Sequence, residues 1–302
     1  PILAEGSDLI AVAKTGSGKT LGFLLPILHA LAKDGKGAPA SDGGVPAVRG
    51  LVLAPTRELA QQIEAHGERY CGLLGLTTAC VFGGGVPSRE QAAMLRKQRP
   101  ALVVATPGRL VDLLGQKALS LQTCKHVALD EADRMLDMGF APQLKIIVEA
   151  LPAEAAGRQT VMFTATWPKS VRQLAGTMLR TAKTRQVFIG TSPDAELEAN
   201  TSVTQVFMHA TDDVKEAKLY KFLCDLGEGS RVICFANTKR RVDMLEKVFW
   251  KDGFGTCGVH GDKQQAERES ALRRFTADEC PLMFKPYPYP YPYPYPYPYP
   301  YP

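Results

Sequence analysis

The chain has 302 residues, 45% of them hydrophobic and 22% charged, with 36 basic and 31 acidic side chains giving a net charge of +5. That is long enough for two domains with separate cores, and the balance is that of a globular protein, not a disordered one. No apolar run reaches the roughly 18 residues of a membrane span, because residues 21–31 are interrupted by Pro26 and His29. The mild positive charge fits either a nucleic-acid surface or a mixed solvated one, and the second reading is simpler.

In chain order, residues 9–12, 50–53, 78–81, 101–104, 126–129 and 160–163 are short apolar runs. Their hydrophobicity is almost continuous, the pattern of strands buried on both faces of a parallel sheet. Helical patterns follow, for example over residues 58–71 and 169–179. The alternation predicts a doubly wound α/β domain over residues 1–190. A polar linker is expected over 191–204. Strands at 203–208, 231–235 and 255–259 and helices at 213–226, 240–251 and 265–275 then predict a second α/β domain over 205–284, with an incomplete sheet and an exposed edge. Residues 285–302 are a low-complexity tail in which Pro and Tyr alternate strictly from Pro286 onward. Every second residue there lacks an N–H, so neither a ladder nor a helix is expected.

Seven cysteines are scattered without a CxxC pair. Reduced intracellular thiols are expected, not zinc or a disulfide framework. The chain opens at Pro1, with no methionine and no secretory leader. An upstream targeting segment therefore stays open as an expectation.

The segment Ala13-Lys14-Thr15-Gly16-Ser17-Gly18-Lys19-Thr20 follows the first strand and opens a helix. In that setting glycines let backbone N–H groups turn towards phosphates, helped by the positive end of the helix. Lys19 would reach the β and γ phosphates of ATP, and the Thr20 hydroxyl would ligate Mg²⁺. Taken alone, the loop is equally a Gly-rich turn. Asp130 and Glu131 end a hydrophobic strand, where open α/β sheets place ligands. Asp130 can hold Mg²⁺ and Glu131 can deprotonate an attacking water. Alone, these acids also read as a helix N-terminus.

The segments AKTGSGKT (13–20), PTRELA (55–60), GG (83–84), TPGRL (106–110), DEAD (130–133) and TAT (164–166) occur in the order of the DEAD-box ATP-dependent RNA helicases. The chain resembles that family over residues 1–284, and Ala13 is the family's own residue at the first loop position. The resemblance implies two RecA-like P-loop NTPase domains with parallel sheets, ATP and Mg²⁺ as cofactors, and sequence-independent contact with the RNA backbone. The RNA contacts it implies in the first domain are Thr56, Arg57, Glu58, Gly83, Gly84, Thr106, Pro107, Gly108 and Arg109. Those in the second are Asn237, Thr238, Gly261, Gln265 and Arg268. By itself TPGRL is also a turn and helix start, and a surface helix accounts for Gln265 and Arg268. Thr164 and Thr166 resemble a motif coupling hydrolysis to strand separation through a hydrogen bond to Asp133.

Two family segments are absent from the given sequence: an adenine-reading motif before Pro1 and an arginine-rich one after Phe284. The expectation is an impaired hydrolase. The competing function is a non-catalytic, nucleotide-gated RNA clamp or scaffold, against which Glu131 speaks. The resemblance places the protein inside the cell, in nucleus or cytoplasm with an organelle left open, and implies no membrane partner.

Overall fold

The computed structural model describes residues 2–13, 17–34, 41–42, 44–153, 157–189, 203–227 and 229–287. The chain divides into two compact units, Pro1–Ala199 and Asn200–Pro302.

In the first unit β1 (Asp8–Ala13) leads into α1 (Lys19–Lys33), and a two-residue pair, β2 (Ser41–Asp42) and β3 (Val45–Pro46), precedes β4 (Gly50–Leu53). The chain continues through α2 (Arg57–Leu74), β5 (Thr78–Val81), α3 (Ser88–Gln98), β6 (Leu102–Ala105), α4 (Pro107–Gly115) and β7 (His126–Leu129). Then come α5 (Ala132–Asp137), α6 (Ala141–Ala150), β8 (Gln159–Thr164), α7 (Lys169–Met178) and β9 (Thr184–Ile189). Seven strands form one sheet in the order β5-β6-β4-β7-β8-β1-β9, and every pairing in it is parallel.

Successive residues of each central strand feed different cores, as the two-residue side-chain repeat requires. Ile10, Leu51, Val103 and Leu129 pack with α3 to α7, whereas Leu9, Val52, Val104 and Ala128 pack with α1 and α2. Covering both faces explains why the strands read as unbroken apolar runs. At the amino end of the sheet, buried Asp8 is held by the Thr160 and Arg180 backbone N–H groups and the Arg180 guanidinium. Among the described residues no helix is long and apolar enough to cross a membrane.

The second unit contains α8 (Lys215–Asp225), β10 (Val232–Ala236), α9 (Lys239–Lys251), β11 (Thr256–Gly258), α10 (Gln265–Thr276) and β12 (Leu282–Pro286). Its parallel sheet runs β10-β12-β11. Phe249 and Phe284 anchor its core at a centroid separation of 5.6 Å.

Two expectations are corrected here. Residues 203–208 form no strand, and Phe207 is 88% exposed. A β-prone run becomes a strand only when a neighbour accepts its ladder, and it pairs with neither β10 nor β11. The Pro-Tyr repeat, conversely, begins inside the sheet. Pro286 ends β12 opposite Ala236, and the Tyr287 N–H donates to the Ala236 carbonyl at 2.8 Å. Proline is tolerated at that last position because β11 has already ended against Phe284. Residues 288–302, and 191–202 of the expected linker, lie outside the described residues. Strand β9 went unrecognised in the sequence because its residues are half-buried edge positions without a continuous apolar run.

Candidate nucleotide and nucleic-acid site

All of the first unit's candidate segments follow the carboxyl ends of strands in one parallel sheet, the edge at which such sheets bind ligands. The strand order sorts them. Ala13, Asp130 and Thr164 belong to or follow the adjacent strands β1, β7 and β8, whereas Thr56, Gly83 and Thr106 follow β4, β5 and β6.

On the first half, Ala13 closes β1 and its carbonyl accepts from Lys19 Nζ at 2.9 Å. Lys14, Thr15 and Gly16 lie outside the described residues. Gly18 caps α1 with a φ of +80°, a left-handed conformation that glycine adopts without strain. Ser17 precedes it, and Thr20 lies in the first helical turn. The helix has no side-chain cap and no acidic residue in that turn. Its leading N–H groups thus suit an anion.

Asp130 is buried, and one carboxylate oxygen accepts the Glu131 N–H at 3.0 Å. Burial pushes the Asp130 carboxyl up to about 6; Lys19 opposes the shift, while Glu131 and Asp133 add to it. Among the described residues no group of three or more Asp, Glu, His or Cys side chains is placed to hold a metal ion, so a divalent cation at Asp130 would take most of its oxygen ligands from water and a bound phosphate, as Mg²⁺ commonly does. Glu131 has a φ of +52°, uncommon for a residue with a side chain. Its carboxylate accepts from Arg134 at 3.2 Å, a pair three residues apart on α5 that sequence reasoning overlooked although the spacing signals it. Asp133 receives both the backbone N–H and the hydroxyl of Thr166, at 2.9 and 2.7 Å. Thr164 does not join that contact: it is buried and donates to the Thr166 carbonyl at 2.8 Å.

On the second half, Thr56 caps α2 by accepting from Leu59, and Glu58 lies in the first turn. Arg57 lies 4.7 Å over the Phe82 ring and donates to the Gly84 carbonyl at 3.4 Å. The Gly83 N–H donates to the Thr106 hydroxyl at 3.4 Å. Pro107 and Gly108 begin α4, and Arg109 donates to the Val86 carbonyl at 3.0 Å. The three segments therefore meet around the loop at Gly83 and Gly84. Gln91 was missed by sequence reasoning: its buried amide donates to and accepts from the Phe82 backbone, holding that loop, yet in sequence it is one polar residue on a polar helix.

In the second unit Asn237 follows β10, and Thr238 caps α9 by accepting from Arg241 at 3.1 Å. Lys239 joins this turn to the loop after β11 through Asp262 at 2.6 Å, beside exposed Gly261. Gln265 begins α10 and donates to Glu269, and Arg268 lies one turn further on, its Nε buried without a hydrogen bond.

A parallel sheet with a glycine-capped lysine helix and paired acids at its carboxyl edge defines a P-loop nucleotide-binding protein. The DEAD/DEAH box helicase family model matches residues 1–174, and the helicase conserved C-terminal domain model matches 214–285. The chain belongs to the DEAD/DEAH box helicase family. It is 41% identical over 286 residues to DEAD-box ATP-dependent RNA helicase 14 of Arabidopsis thaliana, covering 94% of this chain and 43% of that protein. It is also 41% identical over 289 residues to the ATP-dependent RNA helicase DBP2 of Mycosarcoma maydis, covering 94% and 49%. The chain thus spans less than half the length of each. The fold is similar to the crystal structure of the RNA helicase Prp28 from Chaetomium thermophilum bound to ADP, with a TM-score of 0.54 and 37% identity over 94% of this chain and 64% of that one.

Proposed function

We propose that the chain is the core of an ATP-dependent RNA helicase, acting inside the cell on RNA without reading its bases. The distribution of polar groups along one sheet edge carries this reading. Anion-receptive and acidic groups cluster on β1, β7 and β8, hydroxyl, glycine and arginine groups on β4, β5 and β6, and the Asp133–Thr166 contact sits among the acids. Glycine, hydroxyl and arginine groups suit a sugar-phosphate backbone and carry no base information.

In this reading Lys19 and the N–H groups at the start of α1 hold the ATP phosphates, and Thr20 and Asp130 hold Mg²⁺. The cation supplies neutralisation of the phosphate charge. Glu131 orients the attacking water and takes its proton, once it exchanges its contact with Arg134 for that water. Asn237, Thr238, Gly261, Gln265 and Arg268 add RNA contacts in the second unit. Glu131→Gln keeps the shape and removes the base. Hydrolysis is expected to fall about 10²–10⁴-fold, with ATP binding retained in equilibrium titration. Hydrolysis by this variant at the unsubstituted rate would rule the assignment out.

A further inference from the structure

The second unit carries a cleft between α9 and α10 that none of the candidate residues accounts for. It encloses about 740 Å³, and its walls include Lys247, Trp250, Lys251, Thr256, Lys263 and Arg274. Trp250 is 58% exposed, a large apolar side chain left in water. The cleft's carboxylates are already engaged: Asp243 lies 2.8 Å from His260, and Glu246 lies 2.6 Å from Lys263. Arg274 reaches Glu279 only at 3.9 Å, and Lys247 and Lys251, one turn apart on the same face of α9 beside Trp250, have no ion pair among the described residues. An aromatic face beside two unpaired ammonium groups one helical turn apart matches a base next to two successive phosphates. Lys263 also belongs to the loop joining Gly261 to Gln265, so the cleft is continuous with the candidate RNA contacts of this unit.

We infer that single-stranded RNA continues along α9 from the Gly261–Gln265 loop, with one base stacked on Trp250 and adjacent phosphates on Lys247 and Lys251. The identity of the ligand as RNA rests on the proposed function; the position of the contact rests on the cleft. The chain has two tryptophans, so Trp167→Phe in the full chain leaves Trp250 as the sole indole reporter.

Titration with a labelled oligouridylate of about ten nucleotides reads overall binding by anisotropy and the cleft by Trp250 emission. Quenching of Trp250 is expected, with the same midpoint as the anisotropy. Replacing both Lys247 and Lys251 by alanine is expected to raise that midpoint on the order of tenfold and to flatten the salt slope by about 1.4, the value for two single-strand phosphates. Anisotropy without quenching would overturn this inference alone, whereas no RNA binding at all would overturn the proposed function and this contact with it. Equal quenching by polyglutamate would reassign the cleft to an acidic peptide and so overturn it too. If Trp167→Phe does not fold, 4-thiouridine cross-linking of the unsubstituted chain decides: cross-links within α9 support the contact, and cross-links confined elsewhere refute it.

Discussion

Thr166 donates twice to one oxygen of Asp133, through its backbone N–H at 2.9 Å and its hydroxyl at 2.7 Å. The loop after β8 is thereby fastened to the first turn of α5, directly beside Glu131. Thr166→Val preserves shape and the backbone bond but removes the hydroxyl. A stability loss of about 1 kcal/mol is expected, with strand separation reduced more than ATP hydrolysis and both recovered in Thr166→Ser. Parallel unwinding and ATPase assays check this. An unchanged ratio of the two in the valine variant would show that the contact is only structural.

Asp130 makes stability depend on pH. Burial raises its carboxyl from 3.8 to about 6, so between those values the folded state holds the proton more firmly than the unfolded state. Stability therefore falls as pH rises through that window and then levels off. Asp130→Asn removes the cost of burying the charge and is expected to stabilise the protein above about pH 6 by on the order of 3 kcal/mol, with little effect below about pH 4. Denaturant titrations at several pH values test the sign. The same variant should weaken Mg²⁺-dependent nucleotide binding, a stability–function opposition typical of active sites.

Arg57 is placed by a ring contact as well as by its charge. Arg57→Lys keeps the charge and loses the flat guanidinium over Phe82. RNA affinity is expected to fall several-fold with the salt slope unchanged, whereas Arg57→Ala should also lower that slope by about 0.7. Anisotropy titrations over a salt series separate the two. Identical slopes for the alanine variant and the unsubstituted chain would remove Arg57 from the phosphate contacts.

Gly258 makes room for an ion pair. A Cβ there would collide with the Glu246 carboxylate and come within 3.0 Å of Lys263 Nζ. Because the obstructing atoms end flexible side chains, Gly258→Ala should displace the pair and leave the backbone in place, at a cost of about 1–2 kcal/mol. In a Glu246→Ala background the same substitution should cost almost nothing. Thermal melts of the two single variants and the double variant measure this, and additive losses would contradict it.

Much of the first unit was legible because its strands are buried on both faces and its motifs punctuate them. Gly50–Leu53, Thr78–Val81 and His126–Leu129 are observed with the limits their apolar runs predict. Residues 203–208 misled for the converse reason: β-propensity describes one strand, while a ladder needs two. Pro286 misled because a residue without an N–H is excluded from a ladder's middle but not from its end. Arg134 and Gln91 were overlooked since each matters only through a partner, Glu131 or the Phe82 backbone.

The ATP-site candidates that opened the functional reading, Lys19, Thr20, Asp130 and Glu131, could be named from the sequence alone, because a GKT turn after a strand and an acid pair at a strand end are local patterns. Tertiary structure decided what no spacing contains. Strand order put β1, β7 and β8 side by side and gathered the arginine and glycine segments on β4, β5 and β6, over separations of tens of residues. It also buried Asp130 deeply enough to move its titration and chose Thr166 over Thr164 as the partner of Asp133. Contact and desolvation depend on what the whole fold brings near a residue, and a linear pattern specifies only its neighbours along the chain.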